Sequence, residues 1–517
     1  MGLPLNSGWV FRRGRVDRAW LDGEGDGQSV RLPHGWNAIE EFQPGREYYR
    51  GPAAYRLFFT LPEQPAPGRW RLRSHGFYGT GVLRVNGQPA GIFSGDYLGW
   101  NADLGDRLRP GDNLLSCTLT NACSRHILPG IHDPDFLLYG GLAGGAWLEW
   151  LPALHWDEDS LWISSRDGPD GTVEVSLEVL AMNDQAREVP AEVRLEILPP
   201  AVPGQNGLAK QQTVLDVVVP PGGQTLCRLS LTLPRAARWS NRTPWLYTAR
   251  LRLRSADGAG EELTRRFGIR RLEWRPNQGL FRDGEPVALR GCNRHEQMPG
   301  FGNALPDGLH RLDAQALRDA GCNFVRLSHY PQSPHFLDAC DREGLFVMPE
   351  LASWKSVRGG RWLRQATSQL ARLVRRDRHH PSVLLWCLGN ESRHRRAYLM
   401  LDAIAKANDP EKRPTLYAEN HIRRARRKRT LGVTDIWGVN YELDALAAGR
   451  AASRLQCALV TECSNMPLTS RGDIEAEAAQ RAQMASDIAR AVDEADGFAV
   501  WSFNDYATQR KKRYLRQ

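Results

Sequence analysis

Two glutamates each follow a run of apolar residues, and this pattern bears most directly on chemistry. Residues 383–388 read VLLWCL and lead through Gly-Asn into Glu391, whereas residues 457–461 read CALVT and lead into Glu462. Such runs are typical of strands buried on both faces of a parallel sheet. Barrel enzymes carry their reacting groups at the C-terminal ends of these strands. The pattern therefore predicts the paired carboxylates of a glycosidase.

Retaining glycoside hydrolysis assigns a different task to each of two carboxyl groups. One protonates the leaving oxygen and later deprotonates water, while the other attacks the anomeric carbon from about 5–5.5 Å away. By strand count Glu391 ends the fourth strand and Glu462 the seventh. Neighbouring strands are about 4.8 Å apart, so inward side chains at the mouth of a closed barrel can converge. The residues alone leave open which carboxylate has which task.

The C-terminal half alternates between apolar strands and helical segments, which predicts a (β/α)8 TIM barrel over residues 273–517. Eight runs are candidate strands: residues 287–291, 323–327, 345–349, 383–389, 415–419, 435–439, 458–461 and 498–503. Helical segments include residues 313–320, 362–376 and 474–493.

The expected barrel has seven recognisable helices, and the sequence ends sixteen residues after Trp501. The eighth helix is therefore expected to be missing or very short, which would expose an apolar strand face. A shortened chain and a homo-oligomer that covers this edge are both open explanations.

The N-terminal half reads as two all-β domains. Residues 1–152 combine short apolar stretches with turn signals such as Asn86-Gly87, the strongest short hairpin signal. Residues 153–272 alternate with period two, most clearly over residues 172–179. About seven short strands in this region predict an immunoglobulin-like sandwich.

Composition excludes several classes of protein. The chain is 41% hydrophobic and 25% charged, as in ordinary globular proteins. No apolar run reaches the roughly 18 residues of a membrane span, and residues 1–15 lack a secretory signal. Nine scattered cysteines without a CxxC pair predict a cytoplasmic location and no structural zinc. The net charge of +9 includes local arginine clusters, but no nucleic-acid-reading motif accompanies them.

Motifs along most of the chain resemble those of glycoside hydrolase family 2, which contains β-galactosidases, β-glucuronidases and β-mannosidases. In the barrel they are RGCNRHE (290–296), NFVRLSHYP (323–331), RHHPS (378–382) followed by GNE (389–391), and WSFNDY (501–506). In residues 1–152 they are LPHGW (32–36), YYRG (48–51), and Asp135-Phe136 before Gly140-Gly141. The first domain thereby resembles a jelly-roll sugar-binding domain.

The resemblance implies that Glu391 is the acid/base and Glu462 the nucleophile. It also implies that Asn390 bonds the sugar 2-hydroxyl, that His295 and His329 contact sugar hydroxyls, and that Tyr441 bonds the nucleophile. Asp135 resembles an acidic residue that the sugar-binding domain projects into the barrel site. Three further candidates, in or just after the eighth strand, are Trp501, as a floor for the sugar ring, Asn504 and Asp505.

Two departures from family patterns narrow the expected chemistry. Residues 349–355 contain Glu350 but not the pair of a carboxylate and a His with which metal-dependent members hold magnesium, so neither a metal nor another cofactor is expected. Residues 507–513 lack the Asn-x-Lys element that grips the carboxylate of a glucuronide. The expected partner is a carbohydrate substrate, and these criteria favour a β-galactoside; no nucleic-acid or membrane partner is expected.

Alternatives stay open at this point. Within the same family they are a β-glucuronidase and a fucosidase or arabinosidase. Outside the enzyme class they are a catalytically silent carbohydrate-binding protein and, less favoured, an arginine-rich nucleic-acid binder. Both glutamates and Asn390 favour an enzyme over a silent module.

Overall fold

The structure is a computed structural model that describes residues 2–39, 48–63, 67–131, 134–203, 209–465 and 473–507. The first 152 residues form two antiparallel sheets. Their elements are β1 (Gly2–Pro4), β2 (Trp9–Arg13), α1 (Arg18–Leu21), β3 (Gln28–Val30), β4 (His34–Gly35), β5 (Pro52–Leu61), β6 (Gly68–Ser74), β7 (Tyr78–Val85), β8 (Gln88–Asp96), β9 (Trp100–Gly105), β10 (Gly111–Thr120), β11 (Gly141–Leu142) and β12 (Ala146–Pro152).

These strands pair in the orders β1-β12-β6-β9 and β3-β2-β5-β10-β7-β8, with a short β11-β4 pair beside them. Residues of both large sheets, such as Leu72 of β6 and Leu115 of β10, share one apolar core. The β7–β8 hairpin turns at Asn86-Gly87, where Asn86 has φ +49° and Gly87 φ +78°. The hairpin signal is confirmed, because positive φ at both turn positions is what Asn-Gly tolerates.

A second sandwich follows, built from seven strands. They are β13 (Leu154–Asp167), β14 (Val173–Asn183), β15 (Val189–Leu198), β16 (Gln211–Val219), β17 (Gln224–Leu233), β18 (Tyr247–Ser255) and β19 (Gly260–Phe267). The two sheets are β13-β14-β17 and β16-β15-β18-β19. Along β14 every second residue from Val173 to Ala181 is buried, which confirms the predicted period of two. The boundaries at residues 152 and 272 stay predictions.

A small sheet and then an eight-stranded parallel barrel complete the chain. The small sheet contains β20 (Leu272–Arg275), β21 (Gly279–Arg282) and β22 (Glu285–Pro286). The barrel strands are β23 (Leu289–Arg294), β24 (Phe324–Leu327), β25 (Phe346–Met348), β26 (Trp386–Asn390), β27 (Thr415–Glu419), β28 (Ile436–Asn440), β29 (Cys457–Cys463) and β30 (Gly497–Val500).

All eight predicted strands are present, and the multidomain fold class is confirmed. Seven pairs run in the order β25-β24-β23-β30-β29-β28-β27-β26. Parallel bridges from Val347 to Val383 and from Glu350 to Cys387 join the two ends. The barrel is therefore closed, and the carboxyl ends of all its strands meet at one mouth.

Seven helices lie between the strands in the described part of the barrel. They are α2 (Asp307–Asp319), α3 (Pro334–Glu343), α4 (Gly360–Asp377), α5 (Arg395–Asn408), α6 (Ile422–Arg427), α7 (Leu446–Ala452) and α8 (Ile474–Glu494). The predicted absence of an eighth helix falls on residues 508–517, which lie outside the described residues. Among the described residues, no helix is both long enough and apolar enough to cross a membrane.

The barrel strands carry two different apolar faces. One set of side chains, including Val325 and Val460, shares a core with helix residues such as Leu317 and Phe336. The other set, including Leu459, forms a separate core inside the barrel with no helix residue in it. Residues of the first sandwich, among them the loop residue Phe136, belong to the helix-side core. The N-terminal domain is thereby packed directly on the barrel.

We expect Leu459→Ala to lower the unfolding free energy by about 2–5 kcal/mol, because Leu459 is fully buried inside the barrel. The exposed helix residue Leu312 supplies the matched control, and Leu312→Ala should change it by less than about 0.5 kcal/mol. Urea unfolding followed by tryptophan fluorescence measures both. Equal effects of the two substitutions would contradict a packed barrel interior.

Candidate active site

The two glutamates lie at the barrel mouth, where two strands lose their regular pairing. Glu391 directly follows β26 and Glu462 lies near the end of β29; both are buried. The register of β26 shifts between Cys387 and Asn390, and that of β29 shifts next to Glu462. Such irregularities re-aim side chains and occur often beside active sites. Both carboxylates consequently face the interior of the mouth, where hydrogen bonds link them.

The guanidinium of Arg326 on β24 is the centre of this mouth and is fully buried. Its Nη1 donates to Glu462 Oε1 at 2.6 Å and to Asn293 Oδ1 at 3.1 Å. Its Nε donates to Glu350 Oε2 at 2.8 Å, and its Nη2 to Asn390 Oδ1 at 2.9 Å. Burial by itself would lower the pKa of Arg326, but the Glu350 and Glu462 carboxylates raise it above its usual value. The guanidinium is therefore a permanent cation that fixes four side chains.

The second oxygen of Glu462 accepts a hydrogen bond from Tyr441. The distance from Tyr441 Oη to Glu462 Oε2 is 2.7 Å, and the Tyr441 backbone N–H donates to the Glu462 carbonyl at 2.8 Å. Tyr441 directly follows β28, has φ +63°, and stays 38% exposed. Both oxygens of Glu462 thus have a fixed donor, which sets the orientation of the carboxylate.

Glu391 is held from two other elements. Lys355 Nζ, from the segment after β25, lies 2.8 Å from Glu391 Oε2. Asn440 Nδ2, at the end of β28, donates to Glu391 Oε1 at 3.2 Å. Burial would raise the pKa of Glu391, but the Lys355 ammonium and these hydrogen bonds outweigh it and lower the pKa below its usual value.

The pKa of Glu462 is shifted the other way. Burial raises it and the negative charge of Glu391 adds to this, while Arg326 and His329 offset part of the increase. A general acid needs the higher pKa of such a pair. The roles implied by the family resemblance require Glu391, as the acid, to have the higher pKa of the two. In the free protein Glu462 has the higher pKa, because the Lys355 ammonium lowers that of Glu391.

Two buried nitrogen atoms at the mouth have no protein partner among the described residues. They are Asn390 Nδ2 and His295 Nε2. The orientation of the Asn390 amide is fixed, because its Oδ1 accepts from both Arg326 and Asn440 at 2.9 Å. Both nitrogen atoms are therefore able to form a hydrogen bond with a hydroxyl group that enters the mouth.

Aromatic rings form one wall of the mouth. Trp501, directly after β30, is stacked on His329 with centroids 5.1 Å apart and meets His295 edge-on at 5.4 Å. Tyr506 is stacked on His295 at 4.1 Å. Phe136 of the N-terminal domain lies 5.9 Å from His295. The structure thus brings His295, His329 and Trp501 together, and their contact with a sugar stays a prediction.

Three predicted residues lie at the edge of this group. Asp135 precedes Phe136 on the loop that packs on the barrel and is partly buried. Asn504 uses its amide locally: its Oδ1 accepts from the His295 backbone at 3.3 Å and its Nδ2 donates to the Gln297 carbonyl at 3.3 Å. Asp505 is exposed. For all three, direct substrate contact stays a prediction.

Comparison with known proteins assigns the family. The profile of glycosyl hydrolases family 2 matches residues 159–270, and that of the family 2 TIM barrel domain matches residues 277–514. Together they cover more than half of the chain. The chain belongs to glycosyl hydrolase family 2.

Family members with assigned names match over most of this chain. A putative β-glucuronidase of Formosa agariphila is 27% identical over 389 residues, which are 75% of this chain and 46% of that protein. A β-galactosidase of Thermoanaerobacterium thermosulfurigenes is 35% identical over 416 residues, 79% of this chain and 57% of the relative. The chain thus spans about half the length of these relatives.

Solved structures of the family share the fold. The crystal structure of Bacteroides uniformis β-glucuronidase superimposes with a TM-score of 0.86 at 22% identity. The match covers 98% of this chain and 65% of that one. At this identity the likeness concerns the fold alone.

Several site residues had no assigned role in the sequence analysis. Arg326, Glu350 and Asn440 are fully buried polar residues within or beside apolar strands. A charge inside an apolar strand is a usable signal, since buried charges need partners. Lys355 carried no such signal, because its position depends on the path of the segment after β25.

The segment that holds magnesium in metal-dependent family members here presents Lys355 to Glu391. An ammonium group donates and cannot ligate a cation, so this side of Glu391 does not fit a metal. The absence of a metal at the mouth stays a prediction. Elsewhere in the described ranges, Asp338, Asp341 and His380 converge. There Asp341 is already bonded to His380 at 2.6 Å and to the Ser382 N–H at 3.0 Å.

We expect Arg326→Met to lower the unfolding free energy at neutral pH by about 3–5 kcal/mol, because it leaves Glu350 and Glu462 buried without their cation. The pKa of Glu350 is lowered in the fold, so its stabilising contribution exists above its unfolded pKa and is lost as pH falls. The difference from wild type should therefore persist from pH 7 down to the unfolded pKa of Glu350, near 4.5, and shrink below it as that carboxyl is protonated.

Arg290 on β23 is an exposed arginine in a barrel strand and serves as the control. Arg290→Met should change the unfolding free energy by less than about 0.5 kcal/mol at any pH. Chemical denaturation at several pH values measures both variants. A pH-independent effect of Arg326→Met would contradict the role of the guanidinium as counter-ion of the two carboxylates.

Proposed function

We propose that the chain is a retaining exo-β-glycosidase that removes terminal β-linked sugars by double displacement. The observation that carries the proposal is a pair of buried glutamates at one barrel mouth, connected through Arg326, Asn390 and Asn440. Next to them lie two buried nitrogen atoms, Asn390 Nδ2 and His295 Nε2, that have no hydrogen-bond partner in the described part of the chain. A reacting pair of carboxylates beside donors suited to hydroxyl groups matches the needs of this reaction.

In the proposed first step, Glu462 forms a bond to the anomeric carbon while the bond to the leaving oxygen breaks. Glu391 gives its proton to that oxygen, which departs as an alcohol. In the second step, water attacks the anomeric carbon, its proton returns to Glu391, and the bond to Glu462 breaks. The sugar leaves with its original configuration, because two inversions cancel.

The contacts of each glutamate support these roles. Glu462 is the more rigidly held, with Arg326 on one oxygen and Tyr441 on the other. A nucleophile benefits from this fixed orientation. Glu391 is held on one oxygen by Lys355, whose side chain is 34% exposed and can move. An acid/base residue must release a partner to exchange its proton with the leaving group and with water.

Sugar recognition in this proposal uses the free atoms of the mouth. Asn390 Nδ2 bonds the 2-hydroxyl next to the nucleophile, where a hydrogen bond strengthens in the transition state. His295 offers Nε2, and burial together with the charge of Arg326 and the neighbouring His329 lowers the pKa of His295 well below its usual value. The imidazole is then neutral and can serve a hydroxyl as donor or acceptor.

Two sugars are candidates, galactose and glucuronic acid. Relatives named β-galactosidase and relatives named β-glucuronidase match this chain to similar extents. The absence of Asn-x-Lys in residues 507–513 favours a β-galactoside. A silent carbohydrate-binding protein is the competing reading. The predicted cytoplasmic location and homo-oligomer stay predictions.

Hydrolysis of a panel of 4-nitrophenyl β-glycosides tests the proposal. We expect turnover of the galactoside or the glucuronide, with loss of at least about 10⁴-fold in kcat for Glu462→Gln, because no carboxylate is left to attack. Glu419, buried at the end of β27 and paired with Arg393, is the matched control. Glu419→Gln should retain activity if it folds. Sugar binding without turnover by wild type would establish the silent module.

The roles of the glutamates are separable by the leaving group. Glu391→Ala should slow hydrolysis of a methyl glycoside by about 10²–10⁴-fold. The same variant should cleave a 2,4-dinitrophenyl glycoside nearly as fast as wild type in the first step, since that leaving group needs no proton. A burst of dinitrophenol reports this step. Equal loss on both substrates would mean that Glu391 is not the acid/base, so that the two roles are exchanged or the assignment is wrong.

A further inference from the structure

The backbone of Lys355, as well as its side chain, positions this residue beside Glu391. Its backbone N–H donates to the Asn390 carbonyl at 2.9 Å, and its φ of +50° lies in the left-handed region. Its ammonium lies 4.5 Å from the ring centroid of Trp354 and 2.8 Å from Glu391 Oε2. A non-glycine residue in this conformation is held there by its surroundings. The contact is therefore a built feature of the mouth.

This contact leaves Glu391 with both oxygens engaged. Asn440, on the other oxygen, is fully buried and also bonded to Asn390 and Thr461. Lys355 is the exposed partner of the two. A proton can reach a leaving oxygen from Glu391 only after one contact opens, and the Lys355 contact is the one free to open.

We propose that Lys355 determines leaving-group specificity. An anionic group on the aglycone (a carboxylate, sulfate or phosphate) forms an ion pair with the Lys355 ammonium, which then no longer contacts Glu391. The inference rests on the proposed function, since it presumes that Glu391 faces the leaving oxygen. When the Lys355 ammonium leaves the Glu391 carboxylate, it needs another anion or water as its hydrogen-bond partner. An aglycone anion supplies a charged partner at the position where the departing sugar or aryl group must lie.

The charge around Glu391 fits this exchange. Its other neighbours are Asn440 from β28, Glu462 from β29, and His329 and Tyr441 at the mouth. With Lys355 removed, the nearby Glu462 disfavours ionised Glu391. Glu391 then takes a proton from solvent. The proton passed to the leaving oxygen is the one Glu391 acquired, so the net reaction remains hydrolysis by one water.

Cations continue along the segment that carries Lys355. A cleft of about 520 Å³ lies between α4 and the N-terminal domain, and Arg361 and Arg364 of α4 and His126 line it. Its Arg372 is paired with Asp96 at 2.6 Å. The chain segment that follows Lys355 therefore also carries arginine side chains.

Matched aryl β-glycosides of the sugar that wild type hydrolyses test the proposal, one with a carboxyphenyl and one with a carbamoylphenyl leaving group. We expect wild type to favour the carboxylate by about five- to tenfold in kcat/KM at pH 7. Lys355→Met should abolish the preference, and Lys355→Arg should keep part of it. Lys428, exposed after α6, gives the control Lys428→Met, which should behave as wild type.

A pH profile separates this role from a structural one. On the carbamoylphenyl substrate, the basic limb of kcat/KM should move to higher pH in Lys355→Met, because the group that lowers the pKa of Glu391 is gone. An unchanged leaving-group ratio and an unmoved limb would overturn the inference alone. Failure of wild type to hydrolyse any glycoside would overturn the proposed function and the inference with it.

Discussion

The barrel mouth depends on one buried cation, Arg326. A guanidinium inside a closed barrel is tolerated only where carboxylates and amide oxygens surround it, because desolvation otherwise costs several kcal/mol. Glu350 and Glu462 supply the charge, while Asn293 and Asn390 supply neutral acceptors. These four partners come from four different strands or strand ends. Their mutual positions are therefore fixed by a single planar group with a rigid fork of donors.

This arrangement divides the barrel interior into two layers. Below the guanidinium, side chains such as Leu289, Phe346 and Leu459 form a dry apolar core. Above it, hydrogen-bonded side chains form a polar layer that ends at the mouth. The apolar layer makes the medium around Arg326 poor in water, which strengthens each of its contacts and makes each lost contact costly. Packing and chemistry are thus coupled through the same residue.

Sequence patterns were sufficient for the barrel but only for part of the site. The buried runs predicted all eight strands, and Glu391, Asn390, Tyr441 and Glu462, which end or follow those strands, lie together at one mouth, while their roles stay predictions. The observed strand bounds differ from the predicted ones where polar residues continue a strand. The first barrel strand was predicted over residues 287–291, whereas β23 extends from Leu289 to Arg294. The strand pattern does not predict which polar side chains form hydrogen bonds with each other, because partners such as Arg326 and Glu462 are 136 residues apart in the sequence.

Lys355 shows why the remainder was out of reach. Its contact with Glu391 depends on the chain turning through a left-handed conformation after β25, a conformation for which lysine has no preference. Glu391 and Tyr441 share that conformation, with φ of +46° and +63°. Each such residue costs of order 1–3 kcal/mol, and it persists only where neighbouring structure determines it.

These three strained residues sit after three different strands and converge on the two carboxylates. A closed barrel with a dry interior is rigid enough to hold all of them, whereas an isolated loop would relax. Of the two described partners of the Glu391 carboxylate, Asn440 is fully buried and Lys355 is exposed. The rigid barrel thereby leaves the Lys355 side of Glu391 as the side from which a proton is exchanged in the proposed reaction.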